Sequence, residues 1–161
     1  MKYATYSERM GKLNSILISF VSLFLVIFLT SLRVDNIFWY KSAMLSYAIS
    51  SILYLSYPLL KNALLGRIAT WSLFFSLLIN LTAMIRRGIQ SYELGVFHPP
   101  WSNLFEALTF WSFIAGSVYL LVERKYSFRI LGAFLVPLLF ILSAFAIFRA
   151  SKDITPAHAS S

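Results

Sequence analysis

The sequence predicts an all-α, polytopic membrane bundle of about five transmembrane helices, forming a single domain over residues 1–161. Composition is the first reason. Of the 161 residues, 59% are hydrophobic and 12% are charged, about half the charged fraction (roughly 25%) of a soluble domain. The spacing of the charges is the second. Uncharged runs of 20, 19, 18 and 19 residues separate Lys12 from Arg33, Lys41 from Lys61, Arg67 from Arg86 and Arg129 from Arg149, and a fifth run of 16 separates Glu106 from Glu123. At a rise of about 1.5 Å per residue, about 20 helical residues cross a hydrocarbon core of about 30 Å. Lipid, rather than water, is the solvent this composition suits.

The residue inventory removes several classes of chemistry. The chain has no cysteine, which excludes a disulfide, a thiolate metal site, a redox dithiol and a covalent haem-attachment motif. Two histidines and six acids leave little material for a hydrolytic or metal centre. The formal charge of +8 is placed at helix ends rather than on one face. That pattern points to membrane topology and anionic headgroups, not to nucleic acid.

The first predicted span, 13–32, follows a basic start at Lys2, Arg9 and Lys12. Its apolar stretch exceeds the roughly 7–15 residues of a signal peptide and lacks a small-residue cleavage site, so it reads as a retained span. The second, 43–60, is entered through Phe38-Trp39-Tyr40, a cluster suited to the headgroup level, and Pro58 in its last turn should bend the exit. The third, 68–85, follows a short turn from Lys61 to Arg67, which imposes an antiparallel hairpin with the second.

Ser42, Ser46 and Ser50 recur at intervals of four on the second span, as do Ser72, Ser76 and Asn80 on the third. Each set lies along one helix face, where small polar side chains permit close approach and interhelical hydrogen bonds worth roughly 0.6–2 kcal/mol each. The long connection Arg86 to Asn103 precedes the fourth span, 104–122. The fifth, 130–148, holds Pro137, which a bilayer helix tolerates when neighbours satisfy the freed carbonyl. Residues 149–161 read as a flexible tail.

With five spans, eight Lys and Arg residues fall on the N-terminal side and six on the other. The positive-inside rule then places the N-terminus in the cytoplasm and the His98 loop and C-terminus outside.

Distinctive residues concentrate in His98-Pro99-Pro100-Trp101-Ser102-Asn103-Leu104-Phe105-Glu106. The prolines exclude helix through 99–100 and stiffen the approach to the fourth span. Asn103 suits an N-cap, and Glu106 three residues later completes a capping box, with its carboxylate at the positive end of the helix dipole. Two readings of Glu106 follow: an interfacial cap without chemistry, or a carboxylate turned to a cavity as an orienting partner. His98 likewise reads either as a solvated loop histidine or as a ligand. In the second case haem iron suits it better than zinc, because no second donor stands at zinc spacing. His158 is a remote candidate for a second axial ligand. Trp101 reads as an interface anchor and Trp111 as a packing residue.

This stretch resembles the haem-handling membrane proteins of cytochrome c biogenesis system II, the CcsA/ResC family. The matching residues are Arg87-Gly88, the segment His98 to Glu106, the basic turn Glu123-Arg124-Lys125-Tyr126, and Leu131-Gly132-Ala133-Phe134-Leu135-Val136-Pro137. Asp153-Ile154-Thr155-Pro156 is similar to the approach to the family's next segment, so the resemblance covers about residues 41–156. Phe105 stands where the family has Tyr, and Ala107 where it has Ser. The resemblance implies the N-terminal portion of such a protein, preceded by an additional first span and lacking the tryptophan-rich (WWD) segment and axial histidines that hold haem. His98, Trp101, Ser102, Asn103 and Glu106 are the residues it places along a haem route.

The resemblance therefore implies a bacterial plasma-membrane component of cytochrome c maturation. Its expected partners are the remainder of a CcsA-type protein, a CcsB/Res-B-type membrane protein and an apocytochrome c. Haem b would bind only together with the WWD-bearing part, and the chain alone would not act as the haem-attachment synthetase. The alternative is a membrane scaffold or assembly subunit that has lost haem handling. A transporter half would need paired polar or charged residues within the spans.

Overall fold

Long uncharged runs bounded by charged or turn residues become five helices in the computed structural model, which describes residues 2–96 and 103–150. They are α1 (Lys2–Ser31), α2 (Asn36–Leu60), α3 (Ala63–Glu93), α4 (Leu104–Tyr126) and α5 (Gly132–Arg149), with one 3₁₀ turn at Arg129–Leu131 before α5. All five are long and apolar enough to cross a membrane, and the described residues include no strand. The chain is a multi-pass membrane protein.

The helices extend past the predicted spans. α1 begins at Lys2 rather than 13, α2 at Asn36 rather than 43, and α3 runs on to Glu93 rather than stopping at 85. At about 1.5 Å per residue α3 is about 46 Å long, more than the hydrocarbon core needs. Arg86 and Arg87 end the apolar run but not the backbone ladder, because both find partners inside the bundle. The connection expected at 86–103 is thereby shortened to 94–103. Gly95 stops α3: its φ of 72° is one that glycine adopts without a Cβ penalty. Its N–H donates to Tyr92 O at 3.0 Å, and that of Val96 donates to Ser91 O at 3.0 Å, a Schellman closure.

Lys61 and Asn62 join α2 to α3. Lys61 is left-handed, with φ 49°, and its N–H donates to Tyr57 O. The Asn62 side chain accepts from Leu64 N at 2.9 Å and caps α3. α2 packs against α3 and α5, and α4 against α5 and α3, so these four form a ring. α1 lies outside it, resting on α3. Nearly all of α1 is exposed, with Val26 and Thr30 its buried residues. Pro137 is accommodated within α5, which is helical on both sides of it.

The ring interior is lined by small polar and aromatic side chains. Ser50, Ser76, Asn80, Ser112 and Ser143 are buried, as are Tyr47, Tyr54 and Tyr119, while Phe24, Leu59, Phe134 and Phe148 face outward. The serine stripes meet as expected. Ser46 Oγ lies 2.6 Å from Ser76 Oγ, and Ser50 Oγ lies 2.6 Å from Ser72 Oγ. Asn80 donates to Tyr47 Oη at 2.8 Å. Ser42, half-buried, bonds instead back to Phe38 O of its own helix.

Aromatic placement departs from expectation once. Trp39 and Tyr40, in the first turn of α2, are buried in a core cluster with Phe105, Ala146 and Ile147. Trp111, however, is 61% exposed and faces outward rather than packing. Lipid tails are as apolar as a bundle core, so a tryptophan is accommodated on either side of a helix.

Candidate functional site

The end of the ring where α2 and α4 begin and α3 finishes gathers the site. Arg87 is on the inward face of α3, and its Nε donates to Glu106 Oε1 at 2.7 Å. The two side chains are 4% and 3% exposed. Arg87 Nη1 also donates to Asn36 Oδ1 at 3.1 Å, and the guanidinium carbon lies 4.7 Å from the Phe105 ring centroid. Phe105 in turn packs edge-on against Tyr40, centroids 4.8 Å apart. These contacts orient one guanidinium among α2, α3 and α4.

Asn36 and Gln90 extend the network. Asn36 is the first residue of α2, where a backbone N–H lacks an intrahelical partner. That N–H donates to Gln90 Oε1 at 2.9 Å, and Asn36 Nδ2 donates to the same oxygen at 2.7 Å. A side chain of α3 therefore caps α2, whose own Asp35 makes no such cap. Gln90 Nε2 donates to Asp35 Oδ1 at 3.2 Å, and Arg86 Nε donates to Val34 O at 3.1 Å.

Both readings of the Asn103–Glu106 pair are partly met. Asn103 Oδ1 accepts from Glu106 N at 2.8 Å, so Asn103 is the N-cap of α4. The Glu106 carboxylate is not an interfacial group: it is turned into the bundle onto Arg87. Its removal from water is costly, and the attraction of Arg87 offsets that cost only where geometry and hydrogen bonding are good. His98, Trp101 and Ser102 lie outside the described residues, as does His158.

The partners of Glu106 were not legible as such. Arg87 stood out only through the Arg87-Gly88 match, with nothing to pair it with Glu106, and Asn36 and Gln90 carried no motif. Gly95 was the available signal, since a glycine shortly after a helical run marks its end. Placing the end of α3 there puts Arg87 within the helix instead of in a loop.

A second buried carboxylate closes the opposite end of the ring, eighteen residues along α2 or about 27 Å away. Glu123 Oε2 accepts from Tyr54 Oη at 2.8 Å, and Oε1 accepts from Thr70 Oγ1 at 2.6 Å and Arg129 Nε at 2.9 Å. Arg129 also lies 5.9 Å from the Tyr57 ring centroid.

The described donors do not fit a haem iron. Asp35, Asn36, Arg87, Gln90 and Glu106 are amides, carboxylates and a guanidinium engaged with one another, and no imidazole is among the described residues. The cleft of about 700 Å³ at this end runs between α1 and α3, past Arg33, Arg86 and Glu93, and is lined by neither Asn103 nor Glu106. What the arrangement does chemically is hold charge in a fixed place. Comparison with known protein families, curated proteins and solved structures finds no match to this chain.

Proposed function

We propose that this chain is a plasma-membrane component of cytochrome c maturation, similar to the N-terminal part of a system II haem export and attachment protein of the CcsA/ResC kind. The observation that supports this reading is the Arg87–Glu106 pair. The two sequence blocks that carry the resemblance, Arg87-Gly88 and His98 to Glu106, are separated along the chain and joined by this contact. Their residues act together, as parts of one device would.

In this reading the described residues are a frame. The Schellman closure at Gly95 and the Asn103 cap fix the two anchors of the 94–103 connection, and the ion pair ties those anchors together. Haem would be bound by the WWD-bearing part of the system, so no step through iron is assigned to this chain. A CcsB/Res-B-type membrane protein and an apocytochrome c complete the proposed assembly. The N-terminus is assigned to the cytoplasm and the connection to the outside, on eight basic residues against six.

The test is a Soret spectrum of the chain purified in detergent, alone and with a WWD-bearing CcsA-type fragment and a CcsB/Res-B-type protein. Haem retained only in the complex, at a level above that of the partners without this chain, is the expected result. If this chain neither joins the complex nor changes its haem content, the maturation reading fails.

A further inference from the structure

We propose that the wedge between α1 and α4 is a binding site for an anionic phospholipid, with its headgroup at Arg124 and an acyl chain lying over α3. This inference rests on the membrane-spanning helices and the groove's own residues, and is independent of the proposed function. α1 packs chiefly on α3, and the space beside it, toward α4, is left open as a groove. The result is a groove of about 660 Å³. Its floor is Trp71, Phe74, Leu78 and Leu81 on α3, with Leu120 of α4 and Ile18 of α1 on the sides. From Trp71 to Leu81 the helix rises about 15 Å, half the hydrocarbon thickness of about 30 Å, so the floor is one leaflet deep.

Charge selects the headgroup. The polar end of the groove is bounded by Glu123, Arg124 and Arg129. Glu123 is already held by Arg129, Thr70 and Tyr54, which leaves Arg124 as the uncompensated charge. Arg124 is exposed, and its Nη2 donates to a neutral partner, Ser15 Oγ of α1, at 2.9 Å. Among the described residues no carboxylate pairs with it. Lys125 follows it at the exposed end of α4. A basic pocket between transmembrane helices, opening on a leaflet-deep apolar channel, matches a phosphate headgroup and its chain. A zwitterionic lipid would bring its own cation to the same place.

Brominated lipids test this, because they quench tryptophan on contact. The full chain, with Trp39, Trp101 and Trp111 replaced by Phe to leave Trp71, is reconstituted in equimolar phosphatidylcholine and phosphatidylglycerol vesicles with one or the other lipid brominated. Brominated phosphatidylglycerol should quench Trp71 more strongly than brominated phosphatidylcholine. Arg124→Gln should lower that preference about fivefold, the equivalent of about 1 kcal/mol for one basic residue at an anionic headgroup. High salt should also weaken it. Leu78→Trp is not suitable here as it adds a fluorophore, so Leu78→Phe serves as a groove-filling variant: it should reduce quenching without changing the charge. Should the Trp39 replacement disturb the core, lipids retained by the unmodified chain and its Arg124→Gln variant, counted by native mass spectrometry from the same vesicles, give the same comparison. Equal quenching or retention of the two lipids, or a preference unchanged in Arg124→Gln, would overturn the proposal. Protection of Trp71 from both lipids would also overturn it, since protein would then cover the groove.

Discussion

Arg87 and Glu106 meet 2.7 Å apart inside the bundle, joining the end of α3 to the first turn of α4. Neither partner is exposed enough for water to replace the other. The pair therefore governs how α3, α4 and the start of α2 are held relative to one another, and its disruption has a definite signature.

Glu106→Gln keeps the side chain's shape and removes the charge that the buried Arg87 guanidinium meets at 2.7 Å. A loss of about 3 kcal/mol is expected, within the range for breaking a buried pair. Replacing both residues by Met should cost less than this single change, because the buried pair is then removed as a unit. Chemical unfolding in detergent measures all three. An unchanged midpoint for Glu106→Gln would show that the residue acts only as a cap, where Gln serves as well.

The serine contacts between α2 and α3 can be captured covalently, since the chain has no cysteine of its own. Ser46→Cys with Ser76→Cys, and Ser50→Cys with Ser72→Cys, should oxidise to a disulfide within the membrane. The pair Ser42→Cys with Ser76→Cys should not, because Ser76 is opposite Ser46 and Ser42 lies a full turn, about 6 Å, further along α2. Thiol labelling with a mass tag before and after oxidation reads the outcome. Efficient cross-linking of the Ser42 pair would refute this register.

Two glycines should respond oppositely to alanine. A Cβ at Gly132 would collide with Tyr54 and the hydroxyl of Tyr119, whereas one at Gly11 meets nothing within 4 Å. Gly132→Ala should lose about 1–3 kcal/mol by overpacking. Gly11→Ala, on exposed α1, should gain up to about 1 kcal/mol of helix propensity. Thermal unfolding followed by circular dichroism distinguishes them, and equal shifts would contradict the packing of α5 on α2.

His98→Ala tests the proposed function. In a reconstituted system II, with this chain supplying the N-terminal part, covalent haem on a reporter cytochrome c should fall severalfold. Circular dichroism of the variant separates a loss on the haem route from a loss of fold. Normal maturation would remove His98 from the haem route.

Much of the architecture was legible because one variable, the run length between charges, reports the solvent. It marked the five spans, and turn chemistry marked the α2–α3 hairpin. The four-residue spacing of Ser46, Ser50, Ser72 and Ser76 marked a packing seam, since polar atoms in a bilayer seek one another. Asn103 was legible as a cap because capping is local in sequence.

What the sequence by itself determined is therefore the lipid environment, the number of helices and the local stops and caps. The tertiary structure alone decided which face of each helix turns inward: Trp39 and Tyr40 in, Trp111 out, Glu106 onto Arg87. In water, hydrophobic periodicity encodes that choice. In a membrane both faces of a helix meet an apolar medium, so the inward face is selected by long-range pairing of its few polar groups, and no single segment contains both partners.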